Sequence, residues 1–104
     1  MTDQQRKLLR DQLDRKLKRA EVVKDIVIPG EGWIYSIRRA IKMSLRQLGN
    51  RMQISPQSVK EMEQREKEGN ITLRTLREAA DGLEMDLFYV LIPRKGSLEN
   101  TVNE

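Results

Sequence analysis

The stretch from Ser44 to Glu63, Ser-Leu-Arg-Gln-Leu-Gly-Asn-Arg-Met-Gln-Ile-Ser-Pro-Gln-Ser-Val-Lys-Glu-Met-Glu, leaves the chain few options but two short helices meeting at a tight turn. Ser44 is a good N-cap, and Leu45, Leu48, Gly49 and Met52 after it share one helical face. Gly49 has no side chain to hold a second helix away. Ile54 fills the turn. The chain then restarts at Ser55-Pro56: a residue before proline is driven out of the helical region, where an N-cap must sit, and proline suits the first helical position. Val59 and Met62 bury the second helix and leave Gln57, Ser58, Lys60, Glu61 and Gln64 outward. An ordinary helical hairpin with solvated polar residues satisfies the same periodicity, as does a helix-turn-helix whose second helix enters a DNA major groove.

Composition narrows the function classes. With 104 residues, of which 38% are hydrophobic, the chain has room for a modest core made of a few amphipathic helices. It has no cysteine and no histidine, which removes disulfides, thiolate-zinc sites and His- or Cys-based catalysis; a serine has no base partner. No enzyme, cofactor or metal is expected. No apolar run approaches the roughly 20 residues that span a bilayer, and the basic start lacks the apolar stretch and cleavage site of a signal peptide, so a cytoplasmic protein without a membrane partner is expected. The net charge of +4 suits a polyanionic partner, although 35% charged residues of both signs also fits any soluble helical surface.

Along its length the chain reads as three parts. Residues 1–32 form a basic amphipathic helix and linker: from Asp3 to about Lys24, Leu8, Leu9, Leu13, Leu17 and Ala20 recur at helical spacing among arginines and lysines. The β-prone Ile26-Val-Ile28 and the turn Pro29-Gly-Glu-Gly32 follow. Residues 33–93 form the helical domain, in which Trp33, Ile34, Ile37 and Ile41 face inward from a first helix and Leu73, Leu76, Ala80 and Leu83 from a fourth. That domain ends in Leu87, Phe88, Tyr89, Val90, Leu91 and Ile92, a β-branched and aromatic run before Pro93 that reads as a short strand. A strand needs a partner, either Ile26 to Ile28 or the same strand of a second subunit, which would make a homodimer spanning two half-sites; otherwise the run simply lids the core. Residues 94–104 read as a flexible tail. The expected architecture is mainly α: a bundle of four to five helices, an N-terminal amphipathic helix and a short C-terminal β-strand.

From about Ile37 to Leu87 the chain resembles the Cro/cI-type, or xenobiotic-response-element, helix-turn-helix family. Arg38 falls where that family often keeps an arginine pairing with a glutamate at the end of the recognition helix, here Glu63, which implies a structural ion pair. On this reading Ser55, Pro56, Gln57, Ser58 and Glu61 lie nearest the bases. Gln57 can pair with adenine N6 and N7, Glu61 can accept from a cytosine amine, and Pro56 offers only apolar contact, for example to a thymine methyl. Ser44, Arg46, Arg51, Lys60 and Arg65 are placed for phosphates, although each fits a solvated polar surface equally well. Leu45 replaces a glutamine that many relatives use to anchor a phosphate. Gln64 to Gly69 lengthens the segment after Glu63, as if the recognition helix ran on to a glycine C-cap and projected Arg65 and Lys67.

Over nearly its full length the chain also resembles a narrower group, the mobile mystery protein A proteins, through its leucine-rich basic N-terminus, Gly32-Trp-Ile34, Ser44-Leu-Arg-Gln-Leu-Gly49, and Leu87 to Pro93 with Ser97-Leu98 after it. Members are typically encoded beside a Fic-domain protein. The resemblance implies an antitoxin that represses its own operon on double-stranded DNA and neutralises a Fic-type toxin. A well-known Fic inhibitory signature, Ser or Thr, three residues, then Glu with Gly or Asn, does not occur: Glu31-Gly32, Glu68-Gly69 and Glu99-Asn100 follow Val27, Gln64 and Lys95. The surface expected to meet the toxin is the stripe of Leu8, Leu9, Leu13 and Leu17, which otherwise packs on the chain's own domain or on a second subunit. A stand-alone repressor without a toxin, or a helical adaptor that never meets DNA, are the alternatives.

Overall fold

The computed structural model describes residues 1–103, and their regular structure is entirely helical. Six α-helices follow in order: α1 (Asp3–Arg19), α2 (Trp33–Ala40), α3 (Leu45–Met52), α4 (Pro56–Glu68), α5 (Leu73–Gly82) and α6 (Leu98–Val102), with a 3-10 segment at Glu21–Asp25. The chain forms two compact units. One is Ile28–Phe88, carrying α2 to α5; the other joins Met1–Val27 to the chain from Tyr89 onward, carrying α1 and α6.

Local chemistry sets the helix boundaries of the central unit. Ser44 caps α3 in a reciprocal box, its hydroxyl accepting from Gln47 N at 3.0 Å while the Gln47 side chain accepts from Ser44 N at 2.7 Å. Ser55 caps α4 ahead of Pro56, and Gly69, at φ +80°, ends it in the left-handed region. Thr72 caps α5. The helices enclose a core of Ile34, Met43, Leu48, Val59, Met62, Ala79 and Leu83, edged by Ile37, Leu45, Met52, Ile54, Ile71 and Leu76. α4 packs against α2 and α3, and α3 also packs against α5.

Four positions expected in the core lie outside it, the first being Trp33, which is 38% exposed at the start of α2. Ile41 is half exposed because α2 stops at Ala40; Lys42 then takes φ +58° and turns the chain so that Met43, not Ile41, enters the core. Leu73, the first residue of α5, is also half exposed, and Ala79 is buried where Ala80 was expected.

The C-terminal strand is absent. Residues Leu87 to Ile92 have no regular hydrogen-bonded structure, and neither do Ile26 to Ile28. β-propensity measures fit to a pleated, half-buried surface more than a backbone preference, so a β-branched run without a ladder partner stays irregular.

In the second unit, α1 opens on a Thr2–Gln5 capping box and ends at Arg19, short of Lys24, because the backbone tightens into the 3-10 segment. The expected flexible tail contains α6 instead. Asp14 of α1 accepts hydrogen bonds from Leu98 N at 2.7 Å and Glu99 N at 3.4 Å, and Glu99 accepts from Arg10 Nε at 2.9 Å. A carboxylate supplied from a distant helix, in addition to the Ser97 N-cap, gives this short helix its N-terminal partner.

Candidate nucleic-acid interface

The turn between α3 and α4 is tight because Gly49 lets it be. A Cβ at Gly49 would stand 2.6 Å from the Ile54 carbonyl oxygen, well inside contact distance. Ile54 N donates to Gly49 O at 2.9 Å, and Gln53 takes the left-handed conformation at φ +60° to close the turn. Val59 and Met62 are buried, so α4 is fixed from behind, and Gln57, Lys60, Glu61 and Gln64 point to solvent.

A buried ion pair holds α4 against α2. Arg38 Nε donates to Glu63 Oε2 at 2.6 Å, its second terminal nitrogen to Glu63 Oε1 at 3.1 Å, and Nη1 to the Met43 carbonyl at 2.9 Å; both side chains are 8% exposed. This fork-to-fork geometry satisfies both charges where water does not reach, and the third bond ties in the turn before α3.

The five residues expected nearest the bases lie together at the N-cap and on the first two turns of α4, and their chemistry differs. Ser55 and Ser58 are occupied with each other: the Ser55 hydroxyl accepts from Ser58 N at 3.0 Å and donates to the Ser58 hydroxyl at 2.9 Å. Pro56 is exposed at the first helical position. Gln57 and Glu61 are exposed and, among the described residues, their side chains have no hydrogen-bond partner. Gln64 donates to Glu68 at 2.9 Å and is thereby turned along the helix.

The residues expected at phosphates also separate. Arg46, Lys60 and Arg65 are exposed cations without an ion pair among the described residues, and Ser44 is exposed at its cap. Arg51 is different. Its Nη1 donates to the Gly82 carbonyl at 3.0 Å, satisfying the C-terminal end of α5, and Glu78, Asp81 and Glu84 stand around it. An acidic surface of this kind repels a phosphate, so Arg51 has a structural task.

Sequence reasoning missed Glu66. Its carboxylate accepts from Trp33 N at 2.9 Å and Ile34 N at 2.8 Å, capping α2 from the last turn of α4. Gly32 makes room for it: the backbone sits at φ +90°, ψ 162°, a region open essentially to glycine, and a Cβ there would come within 2.8 Å of Glu66 Oε1. A signal existed, because the helix begins after Gly32 with no Ser, Thr, Asp or Asn to cap it. The long end of α4 therefore serves α2, and Lys67 pairs with Glu31 at 3.3 Å. Arg65 remains outward.

The residues expected at a toxin lie in the other unit. Leu8 and Leu9 are exposed on α1, while Leu13 and Leu17 line a groove with Tyr89 to Lys95, Leu98 and Thr101. No helix among the described residues is long and apolar enough to cross a membrane. Comparison of the chain with protein-family models, with curated proteins and with solved structures found no match.

Proposed function

We propose that this chain is a sequence-specific DNA-binding protein that enters the major groove with the N-terminal half of α4, and that, as the resemblance to mobile mystery protein A implies, it is the antitoxin of a Fic-type toxin whose operon it represses. The observation that carries the DNA reading is the state of α4. Its rear is fixed by Val59, Met62 and the Arg38–Glu63 pair, while Gln57 near its start is exposed and uncommitted. A rigid helix that presents a bidentate amide, with exposed Lys60 one turn further on and exposed Arg46 on α3, combines a base reader with phosphate contacts. Ser55 and Ser58 contribute through the exposed helix start more than through their hydroxyls, which are engaged with each other.

The test is fluorescence anisotropy against the chain's own upstream promoter and a scrambled duplex, each at two salt concentrations. Promoter-selective binding that falls steeply with salt is expected, and Gln57→Ala should weaken promoter binding by about 1–3 kcal/mol, roughly 5- to 150-fold, and bring it close to the scrambled duplex. Equal, weak binding of both duplexes would overturn the DNA reading and leave a helical adaptor. The antitoxin part is checked separately, by growth rescue on co-expression with a Fic-domain protein encoded beside it; a chain with promoter binding and no rescue is a stand-alone repressor.

A further inference from the structure

The unit built from α1 and α6 contains an open groove of about 700 Å³, lined by Leu13, Leu17, Val90, Leu91, Ile92 and Pro93 with Arg94 at its edge. Leu91 is 85% and Tyr89 64% exposed although both line it, and Leu13 remains 36% exposed on α1. An apolar concavity left this open marks a binding surface. The geometry points to a docking groove for an acidic amphipathic helix of a protein partner, and this inference stands on a different unit from the DNA reading and does not depend on it.

Charge selects the occupant. Arg94 makes no ion pair among the described residues, nor do Arg15, Lys16, Lys18 and Arg19 on the last turns of α1, whereas the two acids between α1 and α6 are engaged: Glu99 by Arg10 and Lys7, Asp14 by the start of α6. Lys16 stands one helical turn from Leu13, so cations flank the apolar floor from α1 as well as from Arg94. A second copy of this chain would bring the same cations against these, a repulsive match. A bilayer presents a flat face, and the apolar floor is concave. A small amphiphile fits the volume, which falls within the roughly 300–1,000 Å³ of ligand pockets, but would leave Leu91 and Tyr89 in water. A helix with leucines on one face fills the floor and also covers that rim, and glutamates flanking its stripe meet Arg94 and Lys16.

The experiment titrates the full chain against a fluorescein-labelled synthetic helix with leucines at i, i+3, i+4 and i+7 and glutamates on either side. Controls are its scrambled sequence and a version with lysine for glutamate. Saturable binding is expected, at least tenfold weaker for both controls and for the Leu91→Ser, Arg94→Glu double variant, whose promoter binding should match that of the parent chain. Equal binding of the three peptides, or undiminished binding by the variant, would overturn the proposal. So would a parent chain that sediments as a dimer while the variant is monomeric, because the groove would then be covered by a second copy. Variant-sensitive adsorption to phosphatidylglycerol vesicles without peptide selectivity would overturn it as well.

Discussion

At the scale of single residues, the central unit depends on groups that have no substitute in place. Arg38 donates to Glu63 and to the Met43 carbonyl, and Glu63 accepts from Arg38 through both of its oxygens. Removing one partner leaves a charge buried, so Arg38→Ala should lower stability by about 3–5 kcal/mol in urea unfolding. The double replacement Arg38→Met, Glu63→Leu removes both charges and should cost clearly less. Equal losses for the single and double variants would mean that the pair holds α2 and α4 by packing alone. Gly32 is a second such position. Alanine there must adopt a backbone region that costs of order 1–3 kcal/mol and must displace the Glu66 carboxylate from 2.8 Å. Gly32→Ala should therefore destabilise the chain by at least that much, with the Trp33 and Ile34 amides losing hydrogen-exchange protection first.

At the scale of elements, α4 divides along its length. Its last turn is structural: Glu66 caps α2 and Lys67 pairs with Glu31. Its first turns are presented to solvent. Lys60→Ala should weaken binding to promoter and scrambled DNA alike and reduce the slope of log affinity against log salt by about 1. Arg51→Ala should leave that slope unchanged and show up in stability instead, because its guanidinium serves the Gly82 carbonyl. A slope change for Arg51 equal to that for Lys60 would restore it to the interface.

At the scale of the whole molecule, the two units are held by different chemistry. The α2 to α5 unit has a buried apolar core, whereas α6 is held on α1 largely by charged and polar bonds. The hydrogen bond from Arg10, with the charges of Arg10 and Lys7, keeps the Glu99 carboxyl below its ordinary range. A carboxyl lowered in the folded state stabilises that state above its unfolded value, and the contribution disappears as pH falls through the lowered one. Acidification should thus weaken the hold of α1 on α6, seen by NMR as Leu98 and Glu99 amides losing part of their protection in step with Glu99 protonation. Amides that remain protected once Glu99 is protonated would assign the docking of α6 to Leu98 and Asp14 alone.

What the residues determined by themselves is local. Ser44, Ser55-Pro56 and Gly69 carry their cap chemistry in their own backbone and side chains, and the helical period around Leu48, Val59 and Met62 places the core, so α3 and α4 are legible in the sequence itself. Even the Arg38–Glu63 pair was indicated, though only through a family resemblance, since the two residues lie 25 positions apart. Tertiary structure decided the rest, for one physical reason: each remaining feature needs a partner distant in sequence. Leu87 to Ile92 has the composition of a strand but no ladder to join, and its Tyr89 to Ile92 part lines a groove with Leu13 and Leu17 of α1 instead. A short polar tail becomes α6 because Asp14, 84 residues away, accepts its first N–H. Gly32 and Glu66 explain each other only when α4 is seen to end beside the start of α2.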